Sequence, residues 1–398
     1  MNLLFIHQNF PAQFRHIALH FAQRPRHRVM AIGRDSCPGM PGIELVKYTQ
    51  HRHAAKETHH YVKTFEEGVI HGQAVLRILL GLKKRGFVPD VVVGHPGWGE
   101  TLYVKEAFPN CRLIHLCEFY YHAQGVDCGF DPEFPSTMDD RARIRSRNGL
   151  HLLNLEQCDA GIAPTQWQKS LFPKAFAPKI TVAHEGIPTA LLAPDSLASF
   201  ALPDGTLLRA GDPVVTYVSR NLEPYRGFHT FMRAVPDILK NTKARIVIVG
   251  GDGVSYGAMP KDARNWREKM LQEVQPDIGR VHFLGQIPYD SYRRLLQVSA
   301  AHVYLTYPFV LSWSMLEAMA SGCLIVGSAT PPVQEVVEHG RNGLLTDFFD
   351  APRLAAMVSE ALETPTRCAQ MRSAASRGIR EAYSVEQGLK RYDELITG

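Results

Sequence analysis

Short apolar runs alternate with longer stretches of helical spacing along most of this 398-residue chain. Continuous apolar runs are typical of parallel strands that helices cover on both faces. One set lies before about residue 190 and a second after about residue 212: NLLFIH, HRVMAIG, DVVVGH and RLIHLC, then VVTYVS, ARIVIVGG, VHFLG, HVYLTY and LIVGS. The pattern predicts an α/β fold with two doubly wound domains that face a central cleft.

The boundaries between these domains follow from composition. We predict a first domain over 1–190, a linker over 191–212, a second domain over 213–380 and a C-terminal helix over 381–398 that packs back on the first domain. The linker is rich in Pro, Gly, Asp and Ser, and its turn signals indicate a small hairpin. Ser384 is a suitable N-cap for the last helix. Because open α/β sheets bind ligands at the carboxyl ends of their strands, we expect the ligand in the cleft.

Residues 304–327 carry the most informative pattern of the chain. They indicate a strand, a loop with Ser312 and Ser314, a helix that places Glu317 in its first turn, and a second strand. The free N–H groups of a helix N-terminus and two hydroxyls suit a phosphate. A fixed carboxylate suits a pair of sugar hydroxyls. This segment therefore predicts a nucleotide-sugar site.

Two arginines follow the first strand of the second domain. Arg220 and Arg226 flank a turn that contains Pro224, and Gly227 comes directly before the next helix. Guanidinium groups match phosphate geometry, so the pair is suited to neutralising a diphosphate. Taken alone, two surface arginines on a loop are the simpler interpretation. Together with the 304–327 segment, diphosphate binding is favoured.

Further ligand contacts are expected after the next two strands. Gly251 belongs to a glycine-rich turn that lets backbone approach a ligand closely. Gln286 and Ile287 follow the strand VHFLG, and their backbone groups are candidates to contact the edge of a base.

Charge and composition narrow the partners. Residues 1–190 carry 22 Lys/Arg against 17 Asp/Glu, which is too weak an excess for nucleic acid but suits an anionic partner. The arginines at 141, 143, 145 and 147 favour a solvated helix, with contact to an acceptor phosphate or weak peripheral membrane contact as the alternatives. No apolar run is long enough to span a bilayer, and the seven cysteines are scattered. We expect a cytoplasmic protein, at most peripheral at the inner face of the membrane.

A histidine group at 51, 53, 59 and 60 invites a metal interpretation, but its spacing matches no standard zinc pattern. A solvated loop is preferred. We expect no metal and no cofactor beyond the nucleotide-sugar co-substrate.

The ordered motifs resemble those of glycosyltransferase family 4, the retaining enzymes of the GT-B fold with two Rossmann-like domains. They are Arg, five residues, Arg and Gly after a strand, then IVGGDG, FLGQIPYDSY and LEAMASGCLIVGSATPPVQEVVEHGRNGLL. The similarity covers about residues 212–390. It is looser in the first half, where FIHQNFPAQF, DVVVGH, LIHLCEF and ITVAHEGI carry it.

The resemblance implies a role for each matching residue. Arg220 and Arg226 would contact the donor diphosphate, the second in place of the family's usual lysine, and Glu317 would bind the ribose. His115, at the end of the strand RLIH, would lie close to the transferred sugar. The residues that would lie beneath the diphosphate and sugar are Leu311, Ser312 and Trp313.

Two departures from the family pattern concern ligand recognition. Phe309 stands where the family usually has a first glutamate that contacts donor-sugar hydroxyls. The first βα loop has Asn9–Ala12 in place of paired glycines. Glu118 and Glu100 are candidates for acceptor contacts, although a structural role is preferred for each.

The implied activity is retaining transfer of a sugar from a nucleotide-diphosphate sugar to a hydroxyl of a glycan, lipid-linked or small-molecule acceptor. A UDP-sugar is expected from family frequency, with GDP-mannose next. Metal independence is expected because no Asp-x-Asp lies in either cleft loop. The alternatives are a nucleotide-sugar epimerase of the same fold, or an inactive nucleotide- or glycan-binding module, for which Phe309 is the main argument.

Overall fold

The computed structural model describes residues 1–398 and divides into two compact units. Unit 1 comprises Met1–Gly186 together with Val385–Gly398, and unit 2 comprises Ile187–Ser384. The first stretch of unit 1 thus ends at Gly186 rather than at residue 190. The segment expected to link the domains belongs to unit 2.

Unit 1 contains a seven-stranded sheet in the order β3-β2-β1-β4-β5-β6-β7, and every neighbouring pair is parallel. The strands are β1 (Asn2–Ile6), β2 (Arg28–Arg34), β3 (Glu44–Tyr48), β4 (Val91–Gly94), β5 (Arg112–Leu116), β6 (Ala160–Ala163) and β7 (Ile180–Val182). The chain adds strands on one side of β1 and then on the other, so the sheet switches direction between β1 and β4. The predicted doubly wound architecture is confirmed for this unit.

Helices cover both faces of this sheet. They are α1 (Arg15–Ala22), α2 (Lys63–Lys84), α3 (Val104–Ala107), α4 (Met138–Gln157) and α5 (Gln166–Ser170). Leu3 and Phe5 of β1 point into one apolar cluster, and Leu4 and Ile6 point into the other. A strand buried on both faces must be apolar at every position, which explains the continuous runs in the sequence.

Unit 2 repeats the arrangement. An antiparallel hairpin of β8 (Ser199–Ala201) and β9 (Leu207–Arg209) precedes a six-stranded parallel sheet in the order β12-β11-β10-β13-β14-β15. Its strands are β10 (Val214–Asn221), β11 (Arg245–Gly251), β12 (Val281–Gly285), β13 (Ala301–Tyr304), β14 (Leu324–Ser328) and β15 (Leu344–Thr346). The switch point of this sheet lies between β10 and β13.

Seven helices belong to unit 2: α6 (Phe228–Asn241), α7 (Trp266–Val274), α8 (Tyr289–Val298), α9 (Trp313–Ala320), α10 (Pro331–Gln334), α11 (Ala351–Glu363) and α12 (Pro365–Tyr383). The side chains of α9 pack into an apolar cluster with Tyr292, Leu296 and Ile325. This packing fixes the start of α9 beside the switch point.

The last helix, α13 (Val385–Thr397), packs on α1 and completes unit 1. Tyr392 and Ile396 are fully buried in the same cluster as Phe21. Arg24 donates two hydrogen bonds to the carboxylate of Asp393, at 2.6 and 3.2 Å. None of the helices in the structure is both long and apolar enough to cross a bilayer.

Candidate functional site

The carboxyl ends of β10 and β13 border a small cavity in unit 2. The two strands are neighbours, with Val215 paired to Ala301. The cavity has a volume of about 70 Å³, and Arg220, Arg226, Ser312 and Ser314 are among its lining residues. Such switch points are where open α/β sheets bind ligands. The structure therefore brings four of the predicted site residues to one place.

The backbone before α6 sets the position of Arg226. Pro224–Arg226 forms a 3₁₀ turn, and Gly227 follows with φ of 68°. A Cβ atom on Gly227 would lie 2.3 Å from Cβ of Leu305. Only glycine fits this close approach and this backbone conformation, so the turn delivers Arg226 to the cavity.

The guanidinium of Arg226 is anchored from one side. Its Nη1 donates to the Tyr304 hydroxyl at 3.3 Å, to Thr306 Oγ1 at 2.9 Å and to the Val310 carbonyl at 2.9 Å. Its Cζ also lies 5.5 Å from the ring centre of Tyr256. The cation is half-buried and held by neutral groups, without a carboxylate among these hydrogen-bond acceptors.

Arg220 differs from Arg226 in its surroundings. It is exposed and lies within β10 as its penultimate residue, whereas the sequence placed it just past the strand end. The pairing of β10 with β11 is irregular between Val218 and Asn221, so the strand leaves the regular ladder here. This departure places Arg220 on the rim of the cavity.

The loop before α9 supplies hydroxyls and backbone amides. Ser312 is the N-cap, and its N–H donates to the Tyr304 hydroxyl at 2.8 Å. The Ser314 N–H is capped by Ser312 Oγ at 3.3 Å, and the two serine hydroxyls lie 2.9 Å apart. Trp313 opens the helix, so its N–H has no intrahelical acceptor. The side chains of Leu311 and Trp313 pack against the apolar cluster, which leaves their backbone for a ligand.

Glu317 lies farther along α9 than expected. The helix begins at Trp313 because Ser312 caps it, so Glu317 is in the second turn, not the first. Its Oε1 accepts from the Tyr289 hydroxyl at 3.0 Å, and its Oε2 accepts from Tyr292 at 2.9 Å. Burial raises the pKa of the Glu317 carboxyl, although the two tyrosine hydrogen bonds oppose this shift.

The further ligand contacts predicted from the sequence lie at the ends of β11 and β12. A Cβ atom on Gly251 would lie 2.7 Å from Asn221 Oδ1 and 3.3 Å from Gln286 Nε2, so glycine lets these polar groups approach. The side chain of Ile287 packs in two apolar clusters, and the prediction for this residue concerns only its backbone groups. Asn221, which the sequence analysis missed, donates to Ser255 Oγ at 2.8 Å. Its only signal in the sequence is its place directly after Arg220.

Glu223 is a second residue that the sequence analysis missed. Its buried carboxylate accepts three backbone N–H groups, from Ser255 at 3.0 Å, Tyr256 at 3.1 Å and Gly257 at 2.9 Å. These bonds fix the loop after β11 against the turn that carries Arg226. Nothing in the spacing of the sequence identifies this contact.

Phe309 occupies an aromatic setting. Its ring centre lies 5.4 Å from that of Tyr225 and 4.7 Å from that of Tyr256, and 5.7 Å from Cζ of Arg226. The side chain is buried. The position where a sugar-binding carboxylate was expected from the resemblance is therefore part of an aromatic group beside Arg226.

His115 belongs to unit 1 and is fully buried. It lies inside β5, which continues to Leu116, rather than at the end of the strand. Neither ring nitrogen has a hydrogen-bond partner. Burial, with a smaller effect of His95, lowers the pKa of His115 to about 3. The structure does not bring this ring to a surface that a sugar can reach, so we do not retain it as a sugar contact.

Comparison with known proteins agrees with the architecture. Residues 25–192 match the family model described as "Glycosyl transferase family 4 group", and residues 202–378 match "Glycosyl transferases group 1". Among curated proteins, a Mycolicibacterium smegmatis GDP-mannose-dependent α-(1-6)-phosphatidylinositol monomannoside mannosyltransferase is 25% identical over 59% of this chain and 61% of its own length. Bacillus anthracis N-acetyl-α-D-glucosaminyl L-malate synthase is 22% identical over 46% and 45%. The chain thus spans less than two thirds of these relatives.

Solved structures resemble the whole chain. Sucrose-phosphate synthase from Thermosynechococcus elongatus has a TM-score of 0.75 at 19% identity and covers 99% of this chain and 98% of its own. Anabaena HepE in complex with UDP and glucose has a TM-score of 0.68 at 16% identity, with 100% and 99% covered. Together with the two matched models, these findings show that the chain belongs to glycosyltransferase family 4 and has its two-domain GT-B fold.

Proposed function

We propose that unit 2 binds a nucleoside-diphosphate sugar and that the enzyme transfers this sugar, with retention, to a hydroxyl of a glycan, lipid-linked or small-molecule acceptor. One observation carries the proposal. Arg220, Arg226 and the Ser312–Ser314 turn line the same cavity at the switch point of the second sheet. Two cations, two hydroxyls and a helix N-terminus are a suitable set of groups for a diphosphate.

The same groups account for the chemistry. As the glycosidic bond breaks, negative charge develops on the departing diphosphate, and preorganised donors at that position lower the barrier. Arg226 suits this role because its Nη1 contacts with Thr306 and Val310 hold the guanidinium in place before the donor binds. Arginine carries five N–H donors, so this anchoring commits only part of its capacity. We propose that the two arginines and the amides perform this task without a divalent metal.

Glu317 is proposed to bind the ribose. Each of its oxygens accepts one tyrosine hydrogen bond, from Tyr289 or Tyr292, and each keeps a further lone pair for a hydroxyl. The two tyrosines hold the carboxylate in one orientation. Gly251, Gln286 and Asn221 are proposed to contact the base, since they meet at the neighbouring strand ends.

The similar proteins support a nucleotide-sugar donor. HepE structures contain UDP or UDP-glucose, and the mycobacterial relatives are named as GDP-mannose-dependent. We propose a uridine nucleotide first and a guanosine nucleotide second. The alternative of an inactive binding module is favoured only by the aromatic setting of Phe309.

The test is a thermal-shift panel of UDP, GDP, ADP and their sugars, in EDTA and in Mg²⁺. A ligand at 100 times its dissociation constant stabilises the native state by about 2.7 kcal/mol, so a binding nucleotide raises the melting temperature clearly. We expect a diphosphate to bind equally in EDTA. If no nucleotide shifts the melting temperature, the donor site is wrong.

Product analysis separates the alternatives. Conversion of a UDP-sugar into an epimeric sugar in the absence of an acceptor indicates an epimerase. Nucleotide binding with no transfer to any acceptor tested, and no conversion of the sugar, indicates a binding module. NMR of the anomeric proton in the product tests retention directly.

A further inference from the structure

An aromatic side chain that the proposed diphosphate site does not use also lines its cavity. Tyr256 lies in the loop after β11, borders the cavity and is 43% exposed. Its backbone N–H donates to Glu223 Oε2 at 3.1 Å, so the residue is fixed to the turn that carries Arg226. A fixed aromatic ring at the wall of a cavity is a common part of ligand sites. Tyr256 is therefore a candidate for a ligand contact of its own.

Neighbouring rings hold the side chain of Tyr256 in place. Its ring centre lies 4.7 Å from that of Phe309 and 5.8 Å from that of Tyr225. Phe309 is buried, so it supports the ring from the protein interior. The Cζ atom of Arg226 lies 5.5 Å from the Tyr256 ring centre, which places the ring directly beside the proposed phosphate-binding cation. We name Tyr225, Tyr256 and Phe309 the aromatic platform.

The two faces of the second sheet can be told apart at β10. Tyr217 and Val218 are successive residues of this strand, so their side chains point to opposite faces. The ring of Tyr217 stacks on Phe231 of α6 with centres 4.9 Å apart. Val218 packs in the apolar cluster that contains Tyr292 of α8. One face is therefore covered by α6 and the other by α8.

The proposed ligand contacts divide between these two faces. Arg226 is on the α6 side, because its carbonyl accepts from the Tyr217 hydroxyl at 2.7 Å, and Tyr256 lies beside it. Glu317 is on the α8 side, because the Tyr292 hydroxyl donates to it at 2.9 Å. A nucleotide with its ribose at Glu317 and its diphosphate at Arg226 thus directs the group on its terminal phosphate toward Tyr256.

We propose that the ring of Tyr256 binds the donor sugar, a pyranose that packs one face of C–H groups on the aromatic ring. The proposal rests on the proposed function, because the ribose and diphosphate contacts decide where the sugar lies. Polarised C–H groups of a pyranose are attracted to the negative face of an aromatic ring. Glu223, the carboxylate next to the platform, accepts three backbone N–H groups instead. The contact thus recognises an apolar face of the sugar rather than its separate hydroxyls.

The test separates affinity for the sugar from affinity for the nucleotide. Calorimetry on the full chain without an acceptor compares UDP with UDP-glucose and UDP-N-acetylglucosamine, and GDP with GDP-mannose. In Tyr256→Ala we expect at least one nucleotide sugar to bind about tenfold more weakly, because the ring is lost. The matching diphosphate should change less than about twofold. Tyr256→Phe keeps the ring and should bind both ligands as the native protein does.

Met259→Ala is the matched control, since Met259 lies in the same loop, is equally exposed at 43% and does not line the cavity. It should leave every dissociation constant unchanged. The variants should melt close to the native protein. If Tyr256→Ala does not, Tyr256→Leu keeps apolar volume without an aromatic face and should give the same selective loss.

Two results overturn the proposal. Equal weakening of the diphosphate and the nucleotide sugar would place the effect of Tyr256 on the phosphate site through Arg226. Unchanged binding of every nucleotide sugar in Tyr256→Ala would show that the ring does not contact the sugar. If a diphosphate binds the native protein in either case, the proposed function stands and only this inference fails. If neither UDP nor GDP binds the native protein, the proposed function is wrong and this inference fails with it.

Discussion

Arg220 and Arg226 line one cavity but are held very differently, and this difference gives a paired test. Arg226→Lys removes the guanidinium group whose Nη1 donates hydrogen bonds to Tyr304, Thr306 and Val310. A loss of about 1–3 kcal/mol in the free energy of unfolding is expected, because buried acceptors lose their donor. Arg220→Lys changes an exposed side chain and should cost less than about 0.5 kcal/mol. Urea denaturation measures both values.

Nucleotide affinity is expected to fall in Arg220→Lys, since lysine supplies no bidentate contact to phosphate. It should fall less in Arg226→Lys, because lysine is the family's usual residue at that position. The dissociation constant for the nucleoside diphosphate, measured by calorimetry, provides the second readout. Equal loss of stability in the two variants would show that the anchoring of Arg226 has no energetic role. Unchanged affinity in both would remove them from the donor site.

The environment of Glu317 predicts how nucleotide binding depends on pH. Burial raises its pKa, so the carboxylate takes up a proton at a higher pH than an ordinary glutamate does. Only the ionised form accepts from two ribose hydroxyls. Affinity should therefore be complete above this raised pKa and decline as the pH falls through it, which calorimetry across pH will show.

Two variants check that Glu317 is the group responsible. Tyr292→Phe removes a hydrogen bond that favours the ionised form, so the decline should begin at a higher pH. Glu317→Gln should bind weakly and without this pH dependence. An unaltered pH profile in Glu317→Gln would assign the titration to another group.

At the residue scale, the sequence identified the groups that face the cavity through their position after a strand. It did not identify residues whose role depends on a buried contact. His115 has the right place in a motif, but its ring is enclosed inside β5. Glu223 has no motif at all, although its carboxylate fixes three backbone amides. Burial and long-range hydrogen bonds are properties of the folded chain, and local spacing does not encode them.

At the scale of elements, the loop after β11 depends on Glu223. Glu223→Gln keeps the size of the side chain but replaces one acceptor oxygen with a donor that faces N–H groups. We expect faster hydrogen exchange at Ser255, Tyr256 and Gly257, with a local loss of about 1–3 kcal/mol in protection. Exchange followed by mass spectrometry measures this change.

The exposed Glu273, which pairs with Arg233 on the surface, offers a comparison. Glu273→Gln should leave exchange in the 255–257 segment unaltered. If Glu223→Gln also leaves it unaltered, the loop is held by other contacts, such as the packing of Tyr256 on Phe309.

Element prediction succeeded where burial on both faces makes a strand continuously apolar, as in β1 and β11. It did not identify the edge strand β3, Glu44–Tyr48, because this strand is mostly exposed or half-buried and carries polar residues. The start of α9 was misjudged because Ser314 was assigned to the loop and Glu317 to the first turn, whereas the helix begins at Trp313. The N-cap, Ser312, decides where this helix begins.

At the scale of the whole molecule, unit 1 is built from two separate stretches of chain, and α13 provides the second. Ile396→Ala opens a cavity in a core that also contains Phe21 and Tyr392. A loss of about 2–5 kcal/mol is expected for unit 1. Hydrogen exchange should show weaker protection of β1 amides and unchanged protection of β10 amides. Lys390→Ala, an exposed position of the same helix, should change neither.

An equal loss of hydrogen-exchange protection in β1 and β10 of Ile396→Ala would mean that the two units unfold together.

The sequence predicted a terminal helix that packs back on the first domain. The bounds of this helix and the division at Gly186 depend on contacts between residues far apart in the chain. Composition shifts mark turns and hairpins, as for β8 and β9. They do not show which core a segment joins.

The divided unit has a consequence for the order in which the protein is made. All 198 residues of unit 2, Ile187–Ser384, are synthesised between the two stretches of unit 1. The second unit is thus complete in sequence before Val385–Thr397 exists, and the first sheet meanwhile lacks the helix that covers Phe21. Once unit 2 is folded, it adds little to the entropy cost of docking α13 on the rest of unit 1. The reason is that the two ends of unit 2, Ile187 and Ser384, are paired to each other. Until α13 is synthesised, the apolar side of α1 that contains Phe21 lacks its cover, and apolar surface exposed in this way favours aggregation during folding.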